Sequence, residues 1–506
     1  MIIMMNPVWF NFMQAMLIVL LMLHVDLVCA EKVRCIDSER QALLHFKAGL
    51  VDNKGMLSTW GAEDDKRECC QWKGVGCSNQ TSHVEILDIG RCFLGGKIHA
   101  SSLMELQHLK YLNLSLNHYE DTHMPYFFGS LRNLRYLDMS YSNLGGKIPS
   151  QFGSLSQLQY LNLHGNNLEG SIPYQLGNLS KLRYLDLGWN RFEGKLPSQL
   201  GNLSKLQYLD LSSNALEGTL PPQLGNLSSL KKLFLGYNVA LKFDNENNIG
   251  GQWLSNLTSL NHVDLSGIPN LNNSHSWLQM IARLPKLTEL ILYDCSLSDK
   301  FILSVGLSKF KFSTSLAVLD LSWNTFSSSI IFQWLSNVSS NLVELDLSHN
   351  LLEGPIPNDF GTALASLMKL DLSYNRVKGE AMNSIMNMCA LQSLSVHDSN
   401  LTEDLSIIFQ HLSAGCVRYS LQDLDLSNNQ ITGTLPDLST FLSLKTLDLQ
   451  ENRLKGKIPE TILLPSQFES LNVNSNSLEG GIPKSFGNTC TLRSLNLFNN
   501  SLNEQM

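Results

Sequence analysis

LRYLDLGWNRFEGKLPSQLGNLSK, residues 182–205, is one copy of a pattern that recurs along most of this 506-residue chain. The pattern has the form LxxLxLxxNxLxGxLPxxLGN, and in the clearest stretch its copies are 24 residues apart. A fixed period of this length predicts a solenoid, in which each copy is one structural unit stacked on the next. We number the units 1 to 17 by their anchoring residues: Leu87, Leu112, Leu137, Leu161, Leu185, Leu209, Leu233, Val263, Leu290, Leu319, Leu345, Leu370, Leu394, Leu424, Leu447, Leu471 and Leu495.

Each unit predicts a short strand, a bend and a return segment. In unit 5, the period-two alternation directs Leu185 and Leu187 into the core. Tyr184, Asp186 and Gly188 are predicted to face outward. The Asn five residues after the anchor, which we call the ladder asparagine, is expected to satisfy backbone groups at the bend. Stacking such units predicts one continuous core and a parallel sheet along the concave side. Ladder asparagines include Asn166, Asn190, Asn214, Asn238, Asn324, Asn350 and Asn375.

The composition excludes some functions and indicates no enzyme. The formal net charge is −8, and the basic residues form no stripe along the sequence, which argues against a nucleic-acid partner. The sequence has no phosphate-binding GxxxxGK(S/T), no HExxH, no kinase HRD or DFG set and no GxSxG motif. We therefore expect neither catalysis nor a cofactor. The nearest cluster of metal-ligand types lies in one inter-unit segment and is interpreted as a solvated loop: His118, Glu120, Asp121 and His123.

Residues 1–30 are predicted to be a signal peptide cleaved after Ala30. An apolar stretch from Ala15 to Leu23 is followed by small residues, Val28 and Ala30, at the positions that a signal peptidase recognises. The stretch lacks a basic flank, so an uncleaved anchor remains the alternative. No other stretch reaches the roughly 18 continuous apolar residues of a membrane helix.

Ten Asn-x-Ser/Thr sequons and a cluster of cysteines behind this leader indicate the oxidising, glycosylating secretory pathway. Three sequons recur every 24 residues in one context, so their glycans would line one flank that protein partners avoid; Asn113 instead takes an outward strand position. The acceptors are Asn79, Asn113, Asn178, Asn202, Asn226, Asn256, Asn272, Asn337, Asn400 and Asn499.

The remaining cysteines follow the repeat frame. Cys92 and Cys295 take the ladder position and are predicted to be buried thiols. Cys389 and Cys490 share a phase two residues ahead of a unit's first leucine, which also favours burial. A bridge between Cys389 and Cys416 is the alternative.

Three intervals between anchors are longer, at 29 or 30 residues. They run from Leu233 to Val263, from Leu290 to Leu319 and from Leu394 to Leu424. We interpret the extra residues as loop insertions, and residues 242–251 as the most exposed loop.

Residues 31–83 are predicted to cap the end of the core. SERQALLHFKAGL, residues 38–50, places four apolar residues on one helical face, with Ser38 as a candidate N-cap. The four are Ala42, Leu43, Phe46 and Leu50.

The run RCIDSERQALLHFKAGLVDNKGMLSTWGAEDDKRECCQWKGVGCSNQTSHV, residues 34–84, closely resembles the N-terminal cap of plant leucine-rich-repeat receptor-like proteins. The likeness is to the group with fungal xylanase receptors and Cf-type resistance proteins. Trp60 and WKGVGC, residues 72–77, match its LxxW and WxGVxC motifs, and the LxGxIP repeat is its plant-type variant.

The resemblance implies an α/β repeat fold: a plant-type leucine-rich-repeat solenoid with a parallel concave sheet and a disulfide-bonded cap. It implies bridges Cys35–Cys69 and Cys70–Cys77, although the four cysteines alone allow three pairings. It also implies an extracellular ectodomain in defence or pattern recognition. Such an ectodomain binds a peptide, protein or glycan and signals through receptor kinases as adaptor or co-receptor.

The repeats, residues 84–506, stop without the family's C-terminal cysteine cap or membrane helix. We therefore expect a chain truncated before that helix, which would hold the full-length form on the outer face of the plasma membrane; a short secreted form is the alternative. Three other functions remain open: a secreted inhibitor resembling polygalacturonase inhibitors, a receptor-kinase ectodomain, and a structural wall protein.

Two sets of outward aromatic residues are the candidate ligand contacts. The tyrosine column stands immediately before the anchor, and its alternative role is cross-strand packing: Tyr111, Tyr136, Tyr160, Tyr184 and Tyr208. The turn column stands immediately before the ladder position, interrupted by Gly165, Ser213 and His349: Tyr141, Trp189, Tyr237, Trp323 and Tyr374. Trp189 and Trp323 are the strongest candidates.

Between these columns runs an acidic set, the carboxylate column, which we interpret as a solvated strand position. It comprises Asp138, Asp186, Asp210, Asp264, Asp320, Asp346, Asp371, Asp425 and Asp448.

Overall fold

The computed structural model describes residues 34–120, 123–243, 250–273, 276–306, 312–338, 341–487 and 489–503. The predicted signal peptide, Asp121 and most of the loop at 242–251 lie outside the described residues. Within the ranges above, every helix is too short or too polar to cross a lipid bilayer.

Seventeen strands, one from each unit, form a continuous parallel sheet. The anchors are in register, so that Leu185 lies beside Leu161 on one side and Leu209 on the other. A cap strand, Val75–Cys77, adds antiparallel to the first. The predicted units and their register are confirmed. The strands are Val84–Asp88, Tyr111–Asn113, Tyr136–Asp138, Tyr160–Asn162, Tyr184–Asp186, Tyr208–Asp210, Lys232–Phe234, His262–Asp264, Glu289–Ile291, Val318–Asp320, Glu344–Asp346, Lys369–Asp371, Ser393–Ser395, Asp423–Asp425, Thr446–Asp448, Ser470–Asn472 and Ser494–Asn496.

The ladder asparagines hold the bend in the units that have them, as predicted. Asn190 is buried, and its Oδ1 accepts the Leu168 N–H of the preceding unit at 3.0 Å. Its Nδ2 donates to the carbonyls of Leu163, Leu187 and Gly188 at 3.0, 3.2 and 3.0 Å. One side chain therefore satisfies backbone groups of two units, which locks their stacking.

Behind the sheet, the chain returns through short strands and helical turns. Short strands follow the bend at Gly95–Gly96, Gly145–Gly146, Asn167–Gly170, Arg191–Lys195, Ala215–Thr219, Ala240–Lys242, Glu353–Gly354, Arg376–Val377, Lys455–Lys457, Ser477–Gly480 and Ser501–Leu502. Turns of 3-10 helix follow at Tyr126–Ser130, Ser150–Ser154, Tyr174–Asn178, Ser198–Asn202, Pro222–Asn226, Gly250–Asn256, Pro269–Asn273, Gly379–Ala381 and Cys416–Tyr419.

The interpretation of the longer intervals as loop insertions was wrong for the second and third of them. Their extra residues form helices, Asp299–Val305 in one and Leu405–Ser413 in another, because apolar residues such as Phe301 and Ile408 bury one helical face in the core. Other repeat helices are Ala100–Leu103, Ser276–Ala282, Ile330–Val338, Phe360–Ala363, Met382–Ile385 and Lys484–Gly487.

The cap is built on the helix Asp37–Ala48. Ala42, Leu43 and Phe46 are buried as predicted, but Leu50 lies in a short strand, Leu50–Val51, after the helix has ended. The predicted N-cap at Ser38 is wrong, because the helix begins one residue earlier. Two 3-10 turns follow, Asp64–Lys66 and Cys69–Gln71. Both bridges implied by the resemblance, Cys35–Cys69 and Cys70–Cys77, are present.

The repeat cysteines divide into two kinds. Cys92 and Cys295 are buried as predicted, and the Cys295 thiol donates to the Leu265 carbonyl at 3.2 Å, as a ladder asparagine would. Burial predicted for Cys389 and Cys490 is wrong, since both are exposed where the chain approaches the helical side. Cys389 is bonded to Cys416 of the next unit.

Candidate ligand-binding face

The tyrosine column forms a stacked ladder on the concave sheet. Successive ring centroids are 4.2 to 4.3 Å apart and nearly parallel from Tyr111 through Tyr208. The Tyr184 hydroxyl donates to the Asp186 Oδ2 at 3.1 Å, and the same bond recurs at 3.2 Å in unit 3 and 3.4 Å in unit 6. Burial raises the pKa of these tyrosines well above the ordinary value, so they stay protonated donors. The tyrosines thus cap carboxylates and pack against one another.

The carboxylate column is less solvated than predicted. Asp138, Asp186 and Asp210 are buried beneath the tyrosines. The Asp210 Oδ1 accepts the N–H and the hydroxyl of Ser212 at 2.8 and 2.6 Å. Burial, followed by the charge of Asp186, raises the Asp210 pKa to about 6. Each carboxylate therefore joins its strand to the bend that follows.

A histidine contacts the carboxylate column in unit 5, where the serine that follows most of these aspartates is absent. Unit 5 has Gly188 in place of the serine, and the His164 Nδ1 lies 3.0 Å from the Asp186 Oδ1 instead. A Cβ on Gly188 would lie 2.8 Å from the Asp210 Oδ1 and 3.1 Å from the His164 Nδ1, so a side chain there would require Asp210 or His164 to shift. His164, Asp186 and Asp210 offer donor atoms within 4.8 Å of one another, the spacing of a metal site. Since Nδ1 and Oδ1 already bond each other, we interpret the group as an internal network. Sequence reasoning missed it, although His164 occupies a position that is more often serine than any other residue.

The turn column projects into the concave space. Its five aromatic residues are between 41 and 62% exposed, Trp189 most of all, and each has φ between 51° and 56°. A side chain in this left-handed region costs roughly 1–2 kcal/mol relative to right-handed backbone, and glycine or asparagine adopts it most easily. Large aromatic residues therefore occupy positions whose backbone conformation is unfavourable for them, and their partial burial contributes little stabilisation.

The structure extends the second half of this column into a longer row. His349, predicted as an interruption, stacks between Trp323 and Tyr374 with centroids 4.2 and 3.9 Å away. Tyr293 and His397 also join although they stand one residue earlier in the frame, which is why sequence reasoning missed them. We call this set the aromatic row: Tyr237, Tyr293, Trp323, His349, Tyr374 and His397. Tyr141 and Trp189 form a separate group around His164.

Family comparisons agree with this architecture. Residues 161–418 match a model described as a leucine-rich repeat region, and residues 36–78 match one described as a leucine rich repeat N-terminal domain. The chain belongs to the leucine-rich-repeat family. Its relatives place this leucine-rich-repeat chain among the plant receptor-like proteins. Receptor-like protein EIX1 of Solanum lycopersicum is 33% identical over 427 residues, which cover 82% of this chain and 33% of the relative.

Two solved structures resemble the solenoid. The PEPR1–AtPEP1 structure is 28% identical with a TM-score of 0.57, and the match covers 92% of this chain and 66% of the other. The plant peptide hormone receptor RGFR1 in complex with RGF2 is 27% identical with a TM-score of 0.53, covering 81% and 65%. This leucine-rich-repeat chain spans about a third of the length of the curated relatives it matches.

The sequons of this leucine-rich-repeat protein are placed mostly as predicted. Asn178, Asn202 and Asn226 are exposed and each ends a 3-10 turn on successive units, away from the concave sheet. Asn113 lies on the sheet as predicted, where its Oδ1 accepts the N–H and hydroxyl of Ser115 at 3.0 and 2.7 Å.

Proposed function

We propose that this chain is the ligand-recognition part of a plant receptor-like protein and acts by binding, not by catalysis. Its leader, residues 1–30, would direct it to the outside of the cell. There the concave sheet would bind a peptide, protein or glycan in defence or pattern recognition, and a receptor kinase would act as adaptor or co-receptor. The RGFR1 structure supports this proposal, because its name describes a peptide hormone receptor with the same fold.

The observation that carries the proposal is the exposed turn column. Trp189 and Trp323 are 62 and 48% exposed at left-handed positions on the concave side. Tryptophan is enriched where binding energy concentrates, because it offers a large apolar area and an N–H donor. Among the described residues, Trp189 has only a tilted ring contact with His164, with the centroids 6.5 Å apart, and Trp323 stays about half exposed although it stacks on His349. Packing therefore leaves a large apolar area of both residues uncovered, and contact with another molecule is the stronger explanation.

The test compares the full chain with a Trp189→Ala, Trp323→Ala double variant, both expressed with the native leader. Tyr174→Ala is the matched control, since Tyr174 is 59% exposed on the helical side. Binding would be measured on an immobilised panel of a fungal xylanase, its proteolytic peptides, and chitin and pectin fragments. We expect the double variant to lose at least tenfold in affinity for the probe that the wild type binds, while the control keeps it. Equal binding by all three proteins, or loss of secretion by the double variant alone, would contradict the proposal.

A further inference from the structure

The carboxylate column differs between the two halves of the solenoid. In units 3, 5 and 6 both oxygens of the aspartate are occupied, Oδ1 by the bend and Oδ2 by a tyrosine hydroxyl. In units 8, 10, 11, 12 and 14 the residue before the anchor is His262, Val318, Glu344, Lys369 or Asp423. The Oδ1 still accepts a serine N–H at 2.8 to 2.9 Å. Among the described residues, no side chain donates to the Oδ2 of these five aspartates.

The second half of the concave face is also strongly negative. We consider the four outward positions of each unit from 8 to 15: before the anchor, and one, three and four residues after it. Lys369 is the single lysine or arginine at these described positions, and its Nζ is paired with the Glu344 Oε1 at 3.1 Å. The acidic residues there are Asp264, Glu289, Asp294, Asp320, Glu344, Asp346, Asp371, Asp398, Asp423, Asp425, Asp448 and Glu451.

The aspartates of this half affect one another. Burial raises the pKa of Asp320, Asp346 and Asp371, and neighbouring carboxylates of the column raise it further. Like charges repel unless a cation lies between them. The face is therefore complementary to positive charge.

The aromatic row runs beside these aspartates. Ring faces attract cations, and a guanidinium both stacks on them and binds a carboxylate through paired N–H groups. Where His349, Tyr374 and His397 meet Asp371 and Asp425, they line an open depression of about 260 Å³. An open trough of this kind fits an extended chain better than a compact molecule.

The spacing also fits such a chain. Neighbouring strands are about 4.8 Å apart, so every second unit repeats at roughly 9.6 Å. A polyproline-type peptide rises about 3.1 Å per residue, which places every third side chain on one face at roughly 9.3 Å. Arginines three residues apart would meet alternate units.

We propose that units 8 to 15 bind an extended peptide segment bearing arginines, whose guanidinium groups lie between the uncapped aspartate oxygens and the aromatic row. This inference rests on the proposed function and adds the chemistry of the ligand.

The probe is a fluorescein-labelled synthetic peptide, (Arg-Pro-Ser)₅, titrated with the full chain and followed by fluorescence anisotropy. Counterparts carry citrulline, lysine or glutamate in place of arginine. The test variant is the triple Asp320→Asn, Asp346→Asn, Asp371→Asn. Its matched control, with the same change in charge on the same sheet, alters the tyrosine-capped aspartates: Asp138→Asn, Asp186→Asn, Asp210→Asn.

We expect the arginine peptide to bind at least tenfold tighter than the citrulline and glutamate peptides, with lysine intermediate. The test triple should lose at least tenfold, the capped triple less than threefold, and Trp323→Ala at least fivefold. Asparagine keeps an Oδ1 acceptor for the serine N–H, so both triples should fold, and circular dichroism would verify that they do.

Equal binding of the arginine and citrulline peptides would overturn the inference, because binding would then not depend on the guanidinium charge. Equal losses of affinity in the two triple variants would also overturn it, because binding would then not depend on the uncapped carboxylates. Competition by spermine as strong as that of the unlabelled arginine peptide would also overturn it, because the segment would then be irrelevant. The two proposals fail separately. Tryptophan-dependent binding of the xylanase or glycan panel without preference for arginine would refute only this inference.

Discussion

The ladder asparagines offer a direct test of how neighbouring units are held together. Asn190→Ala removes one amide whose four hydrogen bonds join units 4 and 5. Each of the three carbonyls keeps a second donor: two receive the ladder asparagines of adjacent units and the third receives the Gly165 N–H. The Leu168 N–H, buried in the same bend, loses the acceptor that Asn190 supplies.

The magnitude follows from that asymmetry. A buried donor without a partner costs about 1–3 kcal/mol, whereas weakening carbonyls that keep another donor costs less than about 1 kcal/mol altogether. We therefore expect Asn190→Ala to lower the free energy of unfolding by roughly 1–4 kcal/mol.

Urea unfolding followed by circular dichroism measures the loss, and hydrogen exchange of the 163–170 segment localises it. Arg191→Ala, an exposed neighbour, is the control and should stay within about 0.5 kcal/mol of wild type. If Asn190→Ala were as stable as Arg191→Ala, the asparagine would not be what holds the bend.

Three further predictions concern other parts of the chain. The double variant Cys389→Ser, Cys416→Ser opens a bridge of sequence separation 27 and should lower the free energy of unfolding by about 3.5 kcal/mol; unchanged urea unfolding would contradict this. Asp210 has a folded pKa of about 6, above the ordinary 3.8, so its contribution is present below about pH 4 and is lost as pH rises through 6. Asp210→Asn should therefore be more stable than wild type above pH 7, by on the order of 3 kcal/mol, and no different near pH 3; thermal unfolding from pH 3 to 8 would reveal it, and parallel profiles would refute it. Glycopeptide mass spectrometry of the secreted chain should find glycans on the three aligned sequons, and unmodified asparagine at all of them would contradict their predicted role: Asn178, Asn202 and Asn226.

The repeat frame made most of the fold predictable. Leu185 and its equivalents predict strand, register and inward direction together, because one period sets all three. The frame also predicted the buried thiol of Cys295, since it occupies a ladder position. Where the period lengthens, the frame predicts nothing about the extra residues. The helix Leu405–Ser413 was interpreted as a loop, although Leu405, Ile408 and Leu412 have helical spacing, because the interval was judged by its extra length within the repeat frame.

The candidate site was only half predictable, for a related reason. Outward positions can be counted along one unit, but contacts run between units. Tyr184 stacking on Tyr208 and His349 stacking on Trp323 are contacts between side chains of neighbouring units. The repeat frame marks Asp186 and Asp371 identically. Both carboxylate oxygens of Asp186 accept hydrogen bonds from side chains or the bend, whereas among the described residues only one oxygen of Asp371 does. That difference separates the two halves of the concave face.

The left-handed residue before each ladder position has a wider consequence. Glycine, serine and tryptophan all adopt the same conformation there, at Gly165, Ser213 and Trp189, because each backbone N–H donates to the next unit at 2.8 to 3.0 Å. The backbone hydrogen bond, not the side chain, sets the conformation of this residue. Exchanging one residue for another therefore changes the surface at a fixed position. A solenoid of this kind can change its contacts one position at a time, and hybrid recognition faces can be assembled by exchanging whole units between relatives.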